Sequence, residues 1–86
     1  MSTSTQAVDM AELVETLIAP LVEYKDELEI MSSESEDGTV LIEIRVNEAD
    51  AGKVIGRQGR VIKAVRTVVR AAGSRFDTNV DVELID

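Results

Sequence analysis

The sequence lacks cysteine and histidine, and its 86 residues include no tryptophan, one tyrosine and one phenylalanine. Without cysteine, disulfides and thiolate metal sites are excluded. Without histidine, the chain lacks the commonest general base and metal ligand, so we expect no enzyme activity, no metal site and no cofactor. Because aromatic residues are so few, the core must be aliphatic. A hydrophobic content of 44% is enough for a single core.

Long apolar runs are also missing. No run approaches the roughly 20 residues that span a bilayer, and the polar N-terminus has no apolar signal-peptide region. We therefore expect a soluble, cytoplasmic protein. The length fits one small domain, which we place at residues 9–86 with residues 1–8 as a flexible tail.

Charge is unevenly distributed along the chain. Residues 51–76 carry seven basic side chains and no acidic one, whereas the other 60 residues hold two basic and 17 acidic groups. The two parts carry +7 and −15, within a net charge of −8. A cationic patch in an anionic protein indicates that a negatively charged ligand binds there.

Apolar spacing predicts a first amphipathic helix over about Met10 to Val22. Asp9 and Glu12 have the spacing of a capping box, with Asp9 as the N-cap. Pro20 either kinks this helix or marks its end.

Alternating apolar residues predict three strands. The first covers Glu27 to Ser33, the second Thr39 to Val46, and the last begins at Val80. Asp37-Gly38 is a tight-turn signal that makes the first two strands a hairpin. Three apolar side chains should fall on the sheet face away from the helices: Met31, Leu41 and Ile85.

Two further helices lie between the second and third strands. Asn47 can cap a short helix over Glu48 to Ile55, and a longer helix runs from Arg60 to Ala72 with Gly73 at its C-terminus. One side of the longer helix should be apolar, with Val61, Ile62, Val65, Val68, Val69 and Ala72. The other should be basic, with Arg60, Lys63, Arg66 and Arg70. We assign Val65, Val68 and Val69 to the core.

This α-β-β-α-α-β order predicts an α+β fold. Elements this short can form only a two-layer sandwich, with a three-stranded sheet and the helices on one face.

The segment from Gly56 to Gly59 separates the last two helices. The first backbone N–H groups of a helix have no intrahelical partner, and the helix dipole adds positive charge there. Glycine lets a ligand approach closely, and Arg57 and Arg60 add full charges. The expected ligand is therefore one phosphate or several along a backbone. A nucleotide P-loop is unlike this segment, since the glycine spacing, the missing Lys-Ser and the preceding helix all differ.

The stretch Gly52-Lys53-Val54-Ile55-Gly56-Arg57-Gln58-Gly59-Arg60-Val61-Ile62 resembles the KH signature, V-I-G-x-x-G-x-x-I. The element order resembles the type II, prokaryotic KH topology. Over about residues 9–86, the chain is similar to the small stand-alone bacterial KH proteins of the KhpA type. The resemblance implies a single-stranded RNA-binding protein, in which a Gly-x-x-Gly loop clamps the backbone of about four nucleotides. It also implies a role as an RNA chaperone or post-transcriptional regulator.

The same resemblance implies roles for individual residues. Gly56 and Gly59 would form the turn, and Arg57 and Gln58 would face the sugar-phosphate backbone. An apolar surface for bases would come from Val54, Ile55 and Val61, with electrostatic support from Lys53, Arg60 and Lys63. Proteins of this type self-associate and pair with a larger KH-containing protein, so a homodimer or such a pair is expected, with no small-molecule substrate.

Two other interpretations stay open. The glycine segment can be a plain helix–helix turn with a solvated basic face behind it, whose side chains pair with the abundant acids. Alternatively, the chain is a protein-interaction or scaffold subunit with a KH fold and little RNA affinity, as the −15 balance outside the patch would allow.

Overall fold

The computed structural model describes residues 5–85, and the side chains of residues 7–85. Its helices and strands confirm the predicted α-β-β-α-α-β order. They are α1 (Thr5–Ile18), β1 (Glu29–Glu34), β2 (Val40–Arg45), α2 (Glu48–Ile55), α3 (Arg60–Ser74) and β3 (Val80–Ile85). Short 3-10 turns follow α1 at Ala19–Leu21, precede β1 at Lys25–Glu27 and precede α3 at Arg57–Gly59.

The three strands form one sheet in the order β1-β2-β3. β1 and β2 are antiparallel and joined by the predicted turn, in which Gly38 N–H donates to the Ser35 carbonyl at 3.0 Å. β3 pairs with β2 in parallel, with Val80 opposite Val40 and Leu84 opposite Ile44. The α2–α3 pair is the crossover that a parallel connection requires.

The helices form a layer on one face of this sheet, as the sequence predicts: α1 packs on β1 and β2, α3 packs on β3, and α2 packs against α3. The core is aliphatic apart from one methionine. Its buried apolar residues are Ala7, Met10, Val14, Ile18, Val22, Val40, Ile42, Ile44, Val54, Ile62, Val65, Val69, Val80 and Val82.

The opposite face of the sheet is open and largely acidic. The register places Met31, Leu41 and Ile85 there, as expected, and each is partly exposed. On this face Glu43 lies directly opposite Glu83. Two like charges in such a pair repel each other. This face of the sheet would therefore repel a negatively charged ligand. The acidic excess of the chain is thus partly displayed on the side away from the helices.

Helix α1 begins earlier than the sequence indicated. Asp9 is not its N-cap, because the helix starts at Thr5 and the side chain of Ala7 is fully buried. Residues 5–8 are therefore helical, while the rest of the predicted tail, residues 1–4, lies outside the described residues. The expected effect of Pro20 is confirmed, since the α-helical turns end at Ile18 and a 3-10 turn follows.

Two expectations for α3 were wrong. Val68 is not in the core but 45% exposed, because it lies on the side of the helix that faces α1 rather than the sheet. Gly73 does not end the helix, since α3 continues to Ser74. Gly73 is buried instead, and a Cβ there would lie 2.7 Å from both Thr78 O and Val80 Cγ2. The glycine is needed so that α3 can approach the start of β3.

Candidate nucleic-acid interface

Helix α2 leads the chain to the candidate site. Its start is capped as predicted, because the Asn47 side chain accepts a hydrogen bond from Ala49 N–H at 2.8 Å. The Asn47 amide also donates to the Glu27 carboxylate at 2.8 Å, which ties the cap to the segment before β1. The last turn closes with Gly56 N–H donating to the Gly52 carbonyl at 2.8 Å.

The loop from Gly56 to Gly59 has three residues with positive φ. Gly56 has φ 78°, Gln58 57° and Gly59 75°. A Cβ at position 56 would lie 2.8 Å from both the backbone nitrogen and the Cβ of Val61, so only glycine allows the loop to close against α3. Gln58 is a non-glycine residue in the left-handed region. Such strain is concentrated at functional sites, and here it fixes an exposed side chain at the tip of the loop.

Helix α3 starts directly at this loop. Its N-cap is Gly59 in the left-handed conformation, which provides no side-chain cap. The backbone N–H of Arg60 already donates to the Arg57 carbonyl, and that of Gly59 to the Gly56 carbonyl at 3.1 Å. The helix dipole still makes this end partly positive. An anion placed beside Gly59 would be attracted by this positive end of the helix.

Cations without acidic partners are concentrated at the loop. Among the described residues, no ion pair or hydrogen bond engages the side chain of Arg57 or Lys63, and the Arg60 side chain bonds only the neutral Gln58 amide at 3.2 Å. The end of the Lys63 side chain lies close to the loop, since a Cβ on Gly59 would be 3.8 Å from Lys63 Cε. The positive charge of these three side chains is therefore available to a ligand.

The rest of the predicted basic side of α3 is attached to the sheet edge. Arg66 Nε donates to the Val82 carbonyl at 2.9 Å, and Arg70 Nε donates to the Val80 carbonyl at 3.4 Å. Arg70 also forms an ion pair with Asp81 at 3.1 Å. The Arg66 charge thus faces only a neutral acceptor, whereas that of Arg70 is balanced.

Lys53 is also paired with acids. Its Nζ lies 3.2 Å from Asp50 Oδ1 and 3.7 Å from Glu23 Oε1, although half of its side chain is exposed. The Asp50 side chain is fully buried and accepts the backbone N–H groups of Glu23 and Tyr24, each at 3.0 Å. The Glu23 hydrogen bond and then the Tyr24 and Lys53 bonds lower the pKa of Asp50 despite its desolvation, so the carboxylate is ionised at neutral pH.

The three aliphatic side chains expected to contact bases are in different environments. Val54 is fully buried and belongs to the core beneath the loop. Ile55 is 41% exposed, and Val61 is partly exposed beside Gly56. Of the three, Ile55 and Val61 can be reached from the surface.

A groove lies on the other side of α3, between that helix and the end of α1. We call it the apolar groove; its volume is about 300 Å³, and its lining residues are Leu17, Leu21, Arg60, Val61, Ala64, Val65 and Val68. Arg60 is its one charged lining residue, so the groove adjoins the loop but differs from it in chemistry.

The roles of Asp50 and Glu23 cannot be read from the sequence pattern. Glu23 is 27 residues from Asp50 along the chain, and only the fold brings its backbone N–H to that carboxylate. A sequence signal existed for Asp50 alone, as an acidic residue in the first turn of a helix, and that signal indicates helix stabilisation rather than a buried anchor.

A helix–Gly-x-x-Gly–helix unit, placed between parallel strands of an α-β-β-α-α-β sandwich, defines a KH domain of the type II topology. Comparison with known proteins agrees, because the family model for the KH domain of KhpA and KhpB matches residues 11–84. The chain belongs to the KhpA/KhpB family of KH-domain proteins.

Curated relatives match over most of their length. An RNA-binding protein KhpA from Borreliella burgdorferi is 39% identical over 75 residues, which cover 87% of this chain and 90% of that protein. One from Clostridium acetobutylicum is 41% identical over 76 residues, covering 88% and 100%. One from Bacillus subtilis is 36% identical over 77 residues, covering 90% and 94%.

Among solved structures, the fold resembles part of Era. An Aquifex aeolicus Era variant bound to GDP·AlF4− has a TM-score of 0.59 and 15% identity, over 99% of this chain and 33% of that chain. Era in complex with MgGDPNP and nucleotides 1506–1542 of 16S ribosomal RNA matches with the same TM-score, over 98% and 32%. The chain thus spans about a third of Era, and the likeness concerns the fold alone. Within residues 5–85, no helix has the length and apolar character needed to cross a membrane.

Proposed function

We propose that this protein binds single-stranded RNA without catalysing a reaction, and that the Gly56–Gly59 loop contacts the sugar-phosphate backbone. The observation that carries the proposal is the concentration of cations without acidic partners at Arg57, Arg60 and Lys63, beside the N-terminus of α3. Membership of the KhpA/KhpB family supports it, as does the name RNA-binding protein that its relatives carry. We also propose a role as an RNA chaperone or post-transcriptional regulator, which the resemblance to KhpA-type proteins implies.

In the proposed complex, Arg57 and Gln58 lie at the exposed tip and face the phosphates. Gly56 and Gly59 allow close approach, while Ile55 and Val61 offer apolar contact to bases. No aromatic side chain belongs to this group, so the stacking that gives aromatic platforms much of their affinity is not available. We therefore expect modest affinity and weak base preference.

The test compares the wild type with the double variant Arg57→Asp/Gln58→Asp, using fluorescence anisotropy with a short labelled single-stranded RNA. We expect at least a tenfold loss of affinity, since a charged contact is reversed and a second negative charge is added. The matched control is Ser74→Asp/Arg75→Asp, which makes the same change in charge at exposed residues at the far end of α3. Its affinity should stay within twofold of the wild type. Equal affinities for the wild type and the loop variant would refute the clamp.

The salt dependence of the same binding curve gives an independent readout. For single strands, the logarithm of the binding constant falls with that of the salt concentration by about 0.7 for each phosphate neutralised. Parallel titrations with single-stranded DNA of the same sequence determine whether the 2′-hydroxyl contributes.

The apolar groove favours a second, compatible function in protein pairing. Leu21 and Val68 are 37% and 45% exposed at its rim, and neither is needed for the proposed RNA contact. A second copy of the chain, or a larger KH-containing protein, would cover these side chains and raise RNA affinity through effective concentration. Sedimentation velocity over a range of protein concentrations tests this function. A chain that pairs but binds no RNA at low salt would favour a scaffold role.

A further inference from the structure

Lys53 differs from the other cations near the loop because it faces two carboxylates. Glu23 approaches its ammonium group from the segment after α1, and Asp50 does so from one turn earlier on α2. The hydrogen bond to Asp50 raises the pKa of Lys53, followed by the attraction of both carboxylates, so the amine stays charged over the whole neutral range. Two negative charges therefore surround one positive charge at this point.

Asp50 fixes this arrangement from inside the protein. Its buried carboxylate holds the backbone of Glu23 and Tyr24 through two N–H donors, and Lys53 supplies the third hydrogen bond. Because an ionised buried carboxylate needs its partners, Lys53 cannot leave Asp50 without cost. The Glu23 carboxylate has no such constraint, since its side chain is 71% exposed.

A phosphate that approached Lys53 would have to compete with Glu23 and would meet the field of both carboxylates. At Arg57 and Lys63 no described acid pairs with the side chain, so a phosphate meets no such competition there. The two sides of Gly56 thus differ: Arg57 and Lys63 on the α3 side are open to a ligand, whereas Lys53 on the α2 side is engaged.

We propose that Glu23 and Asp50 withhold Lys53 from RNA, so that no cation on the α2 side of Gly56 contacts a phosphate and the Glu23 carboxylate lowers RNA affinity. This inference rests on the proposed RNA-binding function. In this interpretation Lys53 stabilises the fold as the partner of Asp50, although the sequence suggested that Lys53 supports phosphate binding.

The test is a double-mutant cycle in RNA affinity, measured by anisotropy across a salt series. Glu23→Gln removes the exposed carboxylate and keeps the backbone N–H that Asp50 accepts. Lys53→Met removes the charge and keeps an apolar stem. We expect Lys53→Met alone to leave affinity within twofold and the salt slope unchanged. We expect Glu23→Gln to tighten binding about two- to fivefold and to steepen the slope by about 0.7, the value for one added phosphate contact.

In the double variant, the gain caused by Glu23→Gln should disappear, because the ammonium group for which Glu23 and a phosphate compete is absent. Glu15→Gln is the control for charge alone, since it removes an exposed carboxylate on α1 and should change affinity by less than twofold. Circular dichroism melts confirm that each variant is folded at the assay temperature.

Two results would overturn the inference. Lys53→Met alone could lower the slope by about 0.7, which would mean that Lys53 already contacts a phosphate. Alternatively, Glu23→Gln could change nothing, or its gain could persist without Lys53. Failure of the proposed function looks different, because Arg57→Asp/Gln58→Asp would then bind as well as the wild type in the same assay.

Discussion

The two flanks of α3 have different chemistry although they belong to one helix. Lys63, Arg66 and Arg70, spaced three and four residues apart, lie on the flank beside the β3 edge, which we call the basic flank. The opposite flank forms the apolar groove with the end of α1. The helix therefore has three surfaces rather than an apolar and a basic side. Its buried side faces the sheet, and the basic flank and the apolar groove lie on either side of it. One helix can therefore present an RNA-binding surface and a protein-binding surface at once.

The largest effect is expected from removing the glycine that holds the loop against α3. Gly56→Ala places a Cβ against Val61 at a positive φ, so we expect the free energy of unfolding to fall by about 2–3 kcal/mol and RNA affinity to fall at least tenfold. Urea denaturation and anisotropy measure the two effects.

Gly73→Ala is the matched control, since its Cβ would clash with Thr78 and Val80 far from the loop. We expect a loss of stability of similar size, about 1–3 kcal/mol, with unchanged RNA affinity wherever the protein is folded. If Gly73→Ala weakened RNA binding as much as Gly56→Ala, general destabilisation would explain both results.

The next effect separates the two sheet-edge arginines of the basic flank. Arg66→Ala should weaken RNA binding about three- to fivefold and lower the salt slope by about 0.7, because its charge faces only a neutral carbonyl. Arg70→Ala should change affinity by less than twofold, because Asp81 already balances that charge. Each variant loses a hydrogen bond to β3, worth about 1 kcal/mol. Equal losses of affinity would mean that ion pairing does not decide which cations bind RNA.

The smallest effect on RNA binding is expected in the apolar groove. Val68→Ser replaces a side chain that is 45% exposed, so we expect stability to change by only about 0.5 kcal/mol and RNA affinity to stay within twofold. Sedimentation velocity should show weaker pairing. An unchanged association constant together with weakened RNA binding would reverse the roles assigned to the two flanks.

Local signals predicted much of the fold correctly. Helix α2 begins after Asn47 and ends at Ile55 as predicted, because a side-chain cap and a glycine are both readable in the sequence. The hairpin follows from the turn residues Asp37 and Gly38. The last strand follows from the strict alternation of apolar and polar residues after Val80. By contrast, Ala7 is too weakly hydrophobic to extend the apolar pattern upstream, so the start of α1 was misplaced.

The candidate site was less predictable, because its electrostatics depends on long-range contacts. The spacing of Gly56 and Gly59 indicated the loop, and the structure gives both residues positive φ. Asp50 is only three residues before Lys53 on the same helix, but Glu23 is brought to Lys53 by the fold alone. Similarly, only the position of β3 reveals that Arg70 is paired with Asp81.

A titration of ¹⁵N-labelled protein with a short single-stranded RNA, followed by amide chemical shifts, tests the central claim most directly. The account predicts the largest chemical-shift changes at the amides of Arg57 to Arg60 and smaller changes at Lys63 and Arg66. The amides of Leu17, Ala64 and Val68 should change no more than those of residues far from the site. Shifts centred on those last three residues, with the loop unaffected, would contradict it.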